Sequence, residues 1–340
     1  MDELAELIAA SHARFLPRVV EAVFGTDHPL LVSDALTQAV GAALGVPVVG
    51  ARFYEPGVGV VVGFEMSDGR SVVAKVHRAS FTRFEHLVTI ARVQADLAAA
   101  GVPAPRPVAG PLLLGDGWLT IEEHRGGESA NGYDPAVRRG MASALHEFID
   151  AARRHAGRGQ LGTLLGEPVI DDLWPEPHDL RFDLPGTAAG AEWIDEAARA
   201  ARAMLVATKL PDVVGHLDWR VQNLAFARST VSAVYDWDSV GLGPEPAVVG
   251  SASVVHPIDW RLDLPDPLPT LDQLDAFVVD YEAARGATFD DQERKVLTAG
   301  QRWVATLGAR RQHSDDVLGL FPNVDHSRGW PRLLHQLLER

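Results

Sequence analysis

Two acidic clusters, each placed after a short apolar run, are the residues of this chain best suited to chemistry. Asp218 follows one run and has Asn223 five positions later, and Asp236 and Asp238 follow the second run. Hard cations such as Mg²⁺ prefer carboxylate and other oxygen ligands together with phosphate oxygens. A phosphoryl acceptor also needs a carboxylate that takes or orients the proton of its hydroxyl group. Residues 213–246 therefore predict a site for a metal ion and a triphosphate.

The composition is that of a globular protein. The chain has 340 residues, of which 46% are hydrophobic and 23% charged, enough for two substantial cores. We find no apolar run near the roughly 20 residues of a membrane span, and the acidic N-terminus lacks the features of a signal peptide. Cysteine is absent, which excludes disulfides and thiolate metal sites. We expect a cytoplasmic protein that does not associate with membranes.

The formal net charge of −15 argues against a nucleic-acid partner. Such proteins carry a basic surface, and no basic run is present. An acidic surface attracts a cationic substrate, although it also serves simply to keep a protein soluble.

Lysine is scarce, which draws attention to Lys75. Only three of the 31 basic residues are lysines, and Lys75 lies in an apolar segment with the alternation of a strand. Glu85 follows ten positions later on a predicted helix. An ordinary strand lysine with its head in solvent and an ordinary surface carboxylate are the alternatives.

The pattern of apolar residues and turn residues predicts a β-rich part followed by a helical part. In the first part we expect helices over 2–24 and 33–44, strands over 48–53, 60–66, 71–77, 107–114 and 118–123, and a helix over 81–100. In the second part we expect helices over 135–154, 192–207, 245–255, 271–285, 290–312 and 331–340. The expected domains are a helical extension over 1–47, an N-lobe over 48–124 and a C-lobe over 125–340.

This order of motifs resembles the aminoglycoside phosphotransferase and choline kinase-like family. The segment HLDWRVQN, from His216 to Asn223, is similar to the family's catalytic loop, and YDWD, ending at Asp238, is similar to its metal-binding segment. The resemblance covers roughly residues 50–310. It implies an α+β, protein-kinase-like two-lobed fold, with a small β-rich N-lobe, a larger helical C-lobe and an extra N-terminal helical segment.

The resemblance also implies roles for residues of the catalytic loop. Asp218 is expected to be the catalytic base or hydroxyl-orienting carboxylate. Arg220 either neutralises charge on the transferred group or is an ordinary surface arginine. Asn223 and Asp236 are expected to hold Mg²⁺, while Asp238 either reaches a second ion or caps the following turn. The first residue of the motif, a histidine, is expected to support the loop backbone.

The nucleotide, ATP or GTP, is expected to bind the N-lobe. Lys75 would hold the α- and β-phosphates and pair with Glu85. Gly57 and Gly59 either let the backbone approach the phosphates or form a simple turn between strands. The hinge, whose backbone would contact the adenine, comprises Glu122, Glu123 and His124.

The acceptor pocket gives the weakest pattern. Trp219, Asp259, Trp260, Asp263 and Asp266 are candidates, because carboxylates beside an indole suit an amine or a quaternary ammonium. An acidic surface loop is the alternative.

The motifs together predict an ATP- and Mg²⁺-dependent O-phosphotransferase, acting as a monomer or homodimer. Its acceptor would be the hydroxyl of a cationic or amine-bearing small molecule, such as an aminoglycoside or other antibiotic, an amino alcohol or a sugar. One alternative is a non-catalytic kinase-like module that binds a nucleotide or metabolite. Another is a metal-dependent hydrolase built on His216 and the three aspartates, although such sites generally use more histidines.

Overall fold

The computed structural model describes residues 2–13, 18–157, 160–262, 264, 266–320 and 329–340. The chain divides into two compact units. Unit 1 comprises Met1–Ala99, Ala104–Arg125 and His178–Leu180, and unit 2 comprises Ala100–Pro103, Gly126–Pro177 and Arg181–Arg340. Among the described residues, no helix is both long enough and apolar enough to cross a membrane.

Unit 1 combines a five-stranded antiparallel sheet with four helices. Its elements are α1 (Asp2–His12), α2 (Arg18–Phe24), α3 (Pro29–Leu44), β1 (Val48–Pro56), β2 (Val60–Met66), β3 (Ser71–Arg78), α4 (Phe84–Ala99), β4 (Pro107–Leu114) and β5 (Gly117–Glu123). The strand order is β1-β2-β3-β5-β4. The predicted strands are all confirmed, with small changes at their ends.

Alternation along the strands gives the sheet two different faces. On β3, Val72, Ala74 and Val76 are fully buried, whereas Val73 and Lys75 are partly exposed. The buried face packs against apolar residues of α1, α2 and α3, and this layer forms the core of unit 1. Lys75 therefore lies on the face of the sheet that the N-terminal helices do not cover.

The N-terminal helices differ from the prediction in two places. The single helix expected over 2–24 is wrong, because α1 ends at His12 and α2 begins at Arg18. Residues 14–17 lie outside the described ranges. The start expected at Ser33 is also wrong, because α3 begins at Pro29, a residue favoured in the first helical turn, and Ser33 is buried inside the helix.

Unit 2 is mainly helical. Its elements are α5 (Pro135–Ala152), β6 (Gly162–Thr163), β7 (Pro168–Ile170), β8 (Trp174–Pro175), α6 (Glu192–Ala207), β9 (Asp212–His216), β10 (Leu224–Ala227), β11 (Thr230–Val234), β12 (Val240–Pro244), α7 (Glu245–Val255), α8 (Leu271–Arg285), α9 (Asp291–Val317) and α10 (Trp330–Leu338). The bounds predicted for α6, α7 and α8 are confirmed. The predicted end of α9 at residue 312 is wrong, since the helix continues to Val317.

Local signals in the sequence explain where the long helices begin. The side chains of Thr270 and Asp290 each accept a hydrogen bond from the backbone N–H three residues later. The side chains of Gln273 and Glu293 in turn accept one from the backbone N–H of Thr270 and Asp290. These capping boxes satisfy backbone N–H groups that a helix start leaves without partners. Gly286 ends α8 in the left-handed conformation that favours glycine.

Two small strand pairs carry the polar residues of interest. β9 pairs antiparallel with β12, and β10 forms a hairpin with β11. α5 packs against β9 and β11, while α6, α7, α9 and α10 form the core of the rest of unit 2. The segments after β9 and after β11 thus lie on a packed base of apolar side chains.

Candidate active site

Residues 216–223, the expected catalytic loop, leave the end of β9 and are held by backbone hydrogen bonds on two sides. The register of β9 and β12 sets His216 opposite Val240. The N–H of Leu217 donates to the carbonyl of Ser239 at 2.8 Å, and the N–H of Val221 donates to the carbonyl of His256 at 2.9 Å. These bonds fix the loop backbone between a strand and the end of α7.

Asp218 is held by two side chains of its own loop. The amide Nδ2 of Asn223 donates to the Asp218 carbonyl oxygen and to its Oδ2, both at 3.0 Å. The guanidinium of Arg220 lies 2.9 Å from the same Oδ2. Both side-chain contacts of Asp218 are therefore made through Oδ2, and Oδ1 is the carboxylate oxygen directed away from them.

Asp236 lies next to Asn223 because of the β10–β11 hairpin. The N–H of Tyr235 donates to the carbonyl of Asn223 at 2.8 Å, so Asp236 is the next residue beyond this pair. Asp236 adopts a left-handed conformation with φ of 59°, which is unusual for a residue other than glycine. Ser239 donates through Oγ to Asp236 Oδ2 at 3.0 Å and so fixes the carboxylate. Asp238 is half-buried in the 3-10 turn between them.

The donor set at these two residues fits a hard divalent cation. An ionised Asp218 carboxylate only accepts hydrogen bonds, so the NH₂ group of Asn223 must face it and Oδ1 of Asn223 must point the other way. The Asn223 amide oxygen and the Asp236 carboxylate are the oxygen ligands that Mg²⁺ or Ca²⁺ prefers. Among the described residues, there is no group of three or more His, Cys, Asp or Glu side chains that could hold a metal ion by itself.

His216 connects the two halves of this arrangement. Its Nε2 lies 2.8 Å from the carbonyl oxygen of Tyr235, and since a carbonyl only accepts, Nε2 carries the proton. The ring is 1% exposed and packs edge-on against Phe148 and Trp219. The histidine thus joins the catalytic loop to the residue before Asp236, and its Nε2 is committed to that contact.

Trp219 corrects one expectation for the acceptor pocket. Its side chain is 0% exposed, and its indole N–H donates to the carbonyl of Met141 on α5 at 3.1 Å. An indole with no exposed surface cannot lie against a ligand. The apolar ring of Trp219 instead anchors the catalytic loop on α5, next to Phe148.

Two carboxylates of the loop after α7, Asp259 and Asp266, are paired with arginines. Asp259 is 4% exposed and accepts hydrogen bonds from Nε and NH2 of Arg261 at 2.8 Å and 2.7 Å. Burial alone would raise the pKa of Asp259, but the bonds from Arg261 outweigh it and the pKa is lowered. Asp266 pairs with Arg332 at 3.0 Å. The expectation that Asp259 is offered to an amine is therefore not supported.

Trp260 is a candidate of this loop whose side chain is accessible to solvent. Its side chain is 50% exposed, while its backbone N–H donates to Oε1 of Gln222 in the catalytic loop at 3.1 Å. The loop after α7 is thus connected directly to the catalytic loop. Asp263, the remaining candidate, lies outside the described residues.

In unit 1, Lys75 lies on the sheet, and Glu85, its expected partner, lies at the start of α4. Lys75 is half-buried on β3, and Glu85 is exposed in the first turn of α4. Glu122, near the end of β5, accepts a hydrogen bond at 2.6 Å from the side chain of Gln94. Gln94 lies on α4 and is 4% exposed. The buried polar residue of α4 that reaches the sheet is thus a glutamine and not Glu85.

The glycine turn between β1 and β2 has a structural cause at one of its two glycines. A Cβ atom at Gly59 would lie 2.5 Å from the carbonyl oxygen of Val76 on β3, so packing alone requires glycine there. Gly57 has open space around its Cα and is exposed, and its N–H donates to the carbonyl of Gly59 at 2.8 Å. Gly57 is therefore the position at which a ligand could approach the backbone.

The backbone at the expected hinge already pairs within unit 1. The N–H of Glu123 donates to Arg106 at 2.9 Å, and the N–H of His124 donates to Ser71 at 3.1 Å. These two N–H groups are consequently not offered to an adenine, which corrects that part of the expectation. Burial, with the nearby charge of Arg52, lowers the pKa of His124 below its ordinary value.

Three residues with clear roles in these contacts were missed by sequence reasoning. They are Gln94, Gln222 and Ser239, which hold Glu122, Trp260 and Asp236. A serine three residues after an aspartate and a glutamine on a helix are too common to stand out in one sequence. Only the place of Gln94 on the buried face of an amphipathic helix gives a signal, because polar residues there generally have a partner.

Comparison with protein families identifies one match. The model described as the phosphotransferase enzyme family matches residues 62–247, more than half of the chain. The match contains Lys75, the catalytic loop and Asp236. A comparison with curated proteins found no match.

Solved structures with the same fold include an amicoumacin kinase and an aminoglycoside phosphotransferase. The amicoumacin kinase hAmiN, in complex with AMP-PNP, Ca²⁺ and Ami, has a TM-score of 0.61 at 10% identity, over 90% of this chain and 92% of that one. A thermostable mutant of the aminoglycoside phosphotransferase APH(4)-Ia, in ternary complex with ADP and hygromycin B, has a TM-score of 0.56 at 14% identity, over 90% and 98%. The expected α+β, protein-kinase-like fold is therefore confirmed.

Proposed function

This chain belongs to the phosphotransferase enzyme family, and we propose that it transfers the γ-phosphoryl group of ATP or GTP to a hydroxyl group of a small molecule. The proposal includes Mg²⁺ as the divalent cation. Its support is the family match, the kinase-like fold and the arrangement of polar groups around the catalytic loop.

The observation that carries the proposal is the way in which Asp218 is held. Asn223 and Arg220 both bind Oδ2 of Asp218, so this oxygen is fixed and Oδ1 is directed away from both. We assign Oδ1 to the acceptor hydroxyl, whose proton it orients and accepts as the oxygen attacks the γ-phosphorus. A carboxylate that is fixed through one oxygen positions the hydroxyl through the other without reorganising during the reaction.

Asn223 and Asp236 are the residues that would hold the metal ion. The ion would supply positive charge against the oxygens of the triphosphate. Asn223 has a double role in this proposal, because its NH₂ group holds Asp218 while its oxygen faces the metal. Ser239 keeps the Asp236 carboxylate in one orientation.

Arg220 has a position that suits charge stabilisation. Its guanidinium is partly exposed and touches the carboxylate that would orient the acceptor. We propose that it neutralises charge on the transferred phosphoryl group, as a positive charge near the reacting atoms would. Lys75, in unit 1, is proposed to hold the α- and β-phosphates.

For the acceptor we propose an amine-bearing antibiotic or a related amino sugar. The fold neighbours named above are described as an amicoumacin kinase and an aminoglycoside phosphotransferase, in complexes with Ami and hygromycin B. On this chain the exposed indole of Trp260, tied to the catalytic loop through Gln222, is the surface proposed to contact the acceptor. Asp259 and Asp266 contribute less than their charge suggests, because each is paired with an arginine.

The test is acceptor-dependent phosphoryl transfer with purified protein. A panel of aminoglycosides, other amine-bearing antibiotics, amino alcohols and sugars is incubated with γ-³²P-ATP or GTP and Mg²⁺, and labelled product is measured. We expect at least one acceptor to be labelled, and Asp218→Asn to lower the rate by about 10²–10⁴-fold, the usual size of general base effects. Nucleotide binding without transfer to any acceptor would instead favour the non-catalytic module.

A further inference from the structure

Strand register fixes which side chains share the face of the sheet that carries Lys75. β3 and β5 pair so that Lys75 lies opposite Thr120, and Val73 opposite Glu122. Opposite residues of an antiparallel pair share a face, and so do alternate residues along one strand. Glu122 is therefore a diagonal neighbour of Lys75 on the same face. Such neighbours are about 7–8 Å apart, which two long side chains can bridge.

Helix α4 lies over this face and is held at two points. The rings of Phe84 and Trp118 are 5.2 Å apart at the start of the helix, and Gln94 donates to Glu122 Oε2 at 2.6 Å near its end. Trp118 and Glu122 flank Thr120, which lies opposite Lys75. The part of α4 between these two contacts consequently runs along β5, the strand that pairs with the strand of Lys75.

The middle of α4 carries no acidic residue. Between residues 86 and 95 the helix reads HLVTIARVQA, without aspartate or glutamate. Glu85 lies beside Phe84, at the far end from Glu122, and is exposed. A carboxylate for Lys75 on this face therefore comes more directly from the sheet than from the helix.

We propose that Glu122 on β5, held by Gln94, is the carboxylate partner of Lys75, in place of the helix glutamate at position 85. Because Gln94 occupies Oε2 of Glu122, Oε1 is the atom assigned to the lysine ammonium. Glu122 acts through Lys75 and is a positioning residue. The assignment deepens the proposed function, since it rests on Lys75 holding nucleotide phosphates.

The first experiment measures the titration of Lys75 itself and needs no activity. The chain has only three lysines, so the ¹³Cε signals of ¹³C-lysine-labelled protein can be assigned with Lys75→Arg. We expect Glu122→Gln to lower the titration midpoint of Lys75 by about one pH unit, because an adjacent negative charge that favours the charged lysine is removed. The amide at residue 122 can still bond Gln94, which preserves the fold.

Two other glutamates make the comparison specific. Glu85→Gln applies the same chemical change at the competing position, and Glu65→Gln applies it to an exposed residue of β2 that pairs with Arg52. An effect of Glu85→Gln equal to or larger than that of Glu122→Gln overturns the assignment. So does an effect of Glu122→Gln that is no larger than that of Glu65→Gln.

A charge exchange provides a rescue. Gln94→Glu combined with Glu122→Gln returns a carboxylate to the same pair from the helix side. We expect Glu122→Gln to weaken binding of Mg²⁺–ATP by roughly tenfold. We expect the double variant to recover at least half of the change in the Lys75 titration midpoint and at least half of the change in the logarithm of the Kd for Mg²⁺–ATP. Failure of the double variant to move the Lys75 midpoint back contradicts the assignment. A wild-type protein with a Glu122-dependent lysine but without transfer to any acceptor contradicts the proposed function alone.

Discussion

The amide of Asn223 donates to two oxygens of Asp218, the backbone carbonyl and Oδ2, at 3.0 Å each. One short side chain thereby fixes both the course of the catalytic loop and the orientation of its carboxylate. The amide oxygen of Asn223 points away from the Asp218 carboxylate and is the atom proposed to bind the metal ion. Loss of the amide should therefore affect orientation of the acceptor and binding of the metal ion together.

We expect Asn223→Ala to lower kcat by at least about 100-fold and to raise the Mg²⁺ concentration needed for half-maximal rate. Steady-state kinetics at several Mg²⁺ concentrations measures both quantities. Asn131→Ala is the matched control, because the side chain of this exposed asparagine accepts a hydrogen bond from the nearby backbone N–H of Tyr133. A large loss of kcat with an unchanged Mg²⁺ requirement would contradict the role of Asn223 as a metal ligand.

Variants of Arg220 distinguish two roles for its guanidinium, which are stabilising the transferred phosphoryl group and holding Asp218. If it stabilises the transferred group, Arg220→Gln lowers kcat by about 10–100-fold with little change in KM for ATP, and Arg220→Lys recovers part of the loss because the charge returns. If it only holds Asp218, the lysine variant recovers little, since the guanidinium geometry is lost. Initial rates over a grid of ATP and acceptor concentrations distinguish these outcomes.

Trp260 is expected to affect the acceptor and not the nucleotide. Its side chain is exposed, so Trp260→Ala should cost little folding stability, while KM for an amine-bearing acceptor rises by about tenfold. Trp260→Phe keeps an aromatic face and should recover most of the affinity. Equal KM values for the acceptor in the wild type and Trp260→Ala would exclude this side chain from the pocket.

His256 predicts a pH dependence of stability. It is buried at the end of α7, where burial, opposed by the bond to the Ser253 carbonyl and aided by the charge of Arg138, lowers its pKa to about 3. Below about pH 6.5 this histidine is protonated in the unfolded chain but stays neutral in the folded protein. The contribution of neutral His256 to the free energy of unfolding is therefore fully present above the unfolded pKa. As the pH falls from about 6.5 toward 3, the free energy of unfolding decreases by about 1.4 kcal/mol for each pH unit.

Urea unfolding at about pH 7 and about pH 5 measures this effect. The expected contribution of His256 to the difference is about 2 kcal/mol. His256→Gln, which cannot titrate, should lack that part of the difference, whereas the exposed His28→Gln should keep it. An unchanged pH dependence in His256→Gln would show that the folded protein accepts the proton.

The features that the sequence predicts well are those with local signals. Helices α6, α7 and α8 begin and end where periodicity, capping residues and Gly286 indicate. The spacing from Asp218 to Asn223 is also local, and the contact between them needs only one turn of the chain. The antiparallel strands follow from alternation and from turn residues such as Gly69.

The features that the sequence did not predict depend on distant parts of the chain. Glu122 meets Gln94 through the placement of a helix over a sheet, 28 positions apart. Trp219 looks like a binding residue beside Asp218, yet its burial depends on Phe148 and Met141 of α5. Asp259 looks like a free carboxylate, but Arg261 turns back onto it. Residue type alone does not reveal which polar group is already satisfied.

Helices α1, α2 and α3, which cover the face of the sheet opposite Lys75, affect how this protein can be shortened. The family match begins at residue 62, whereas Leu4, Ile8 and Leu36 belong to the same apolar layer as the strands. The N–H of Asp116 donates to the carbonyl of Val23 at 2.7 Å, so α2 also holds the turn between β4 and β5. A protein trimmed to the limits of the match would expose this layer to water and aggregate, so expression and crystallisation should retain the first 44 residues.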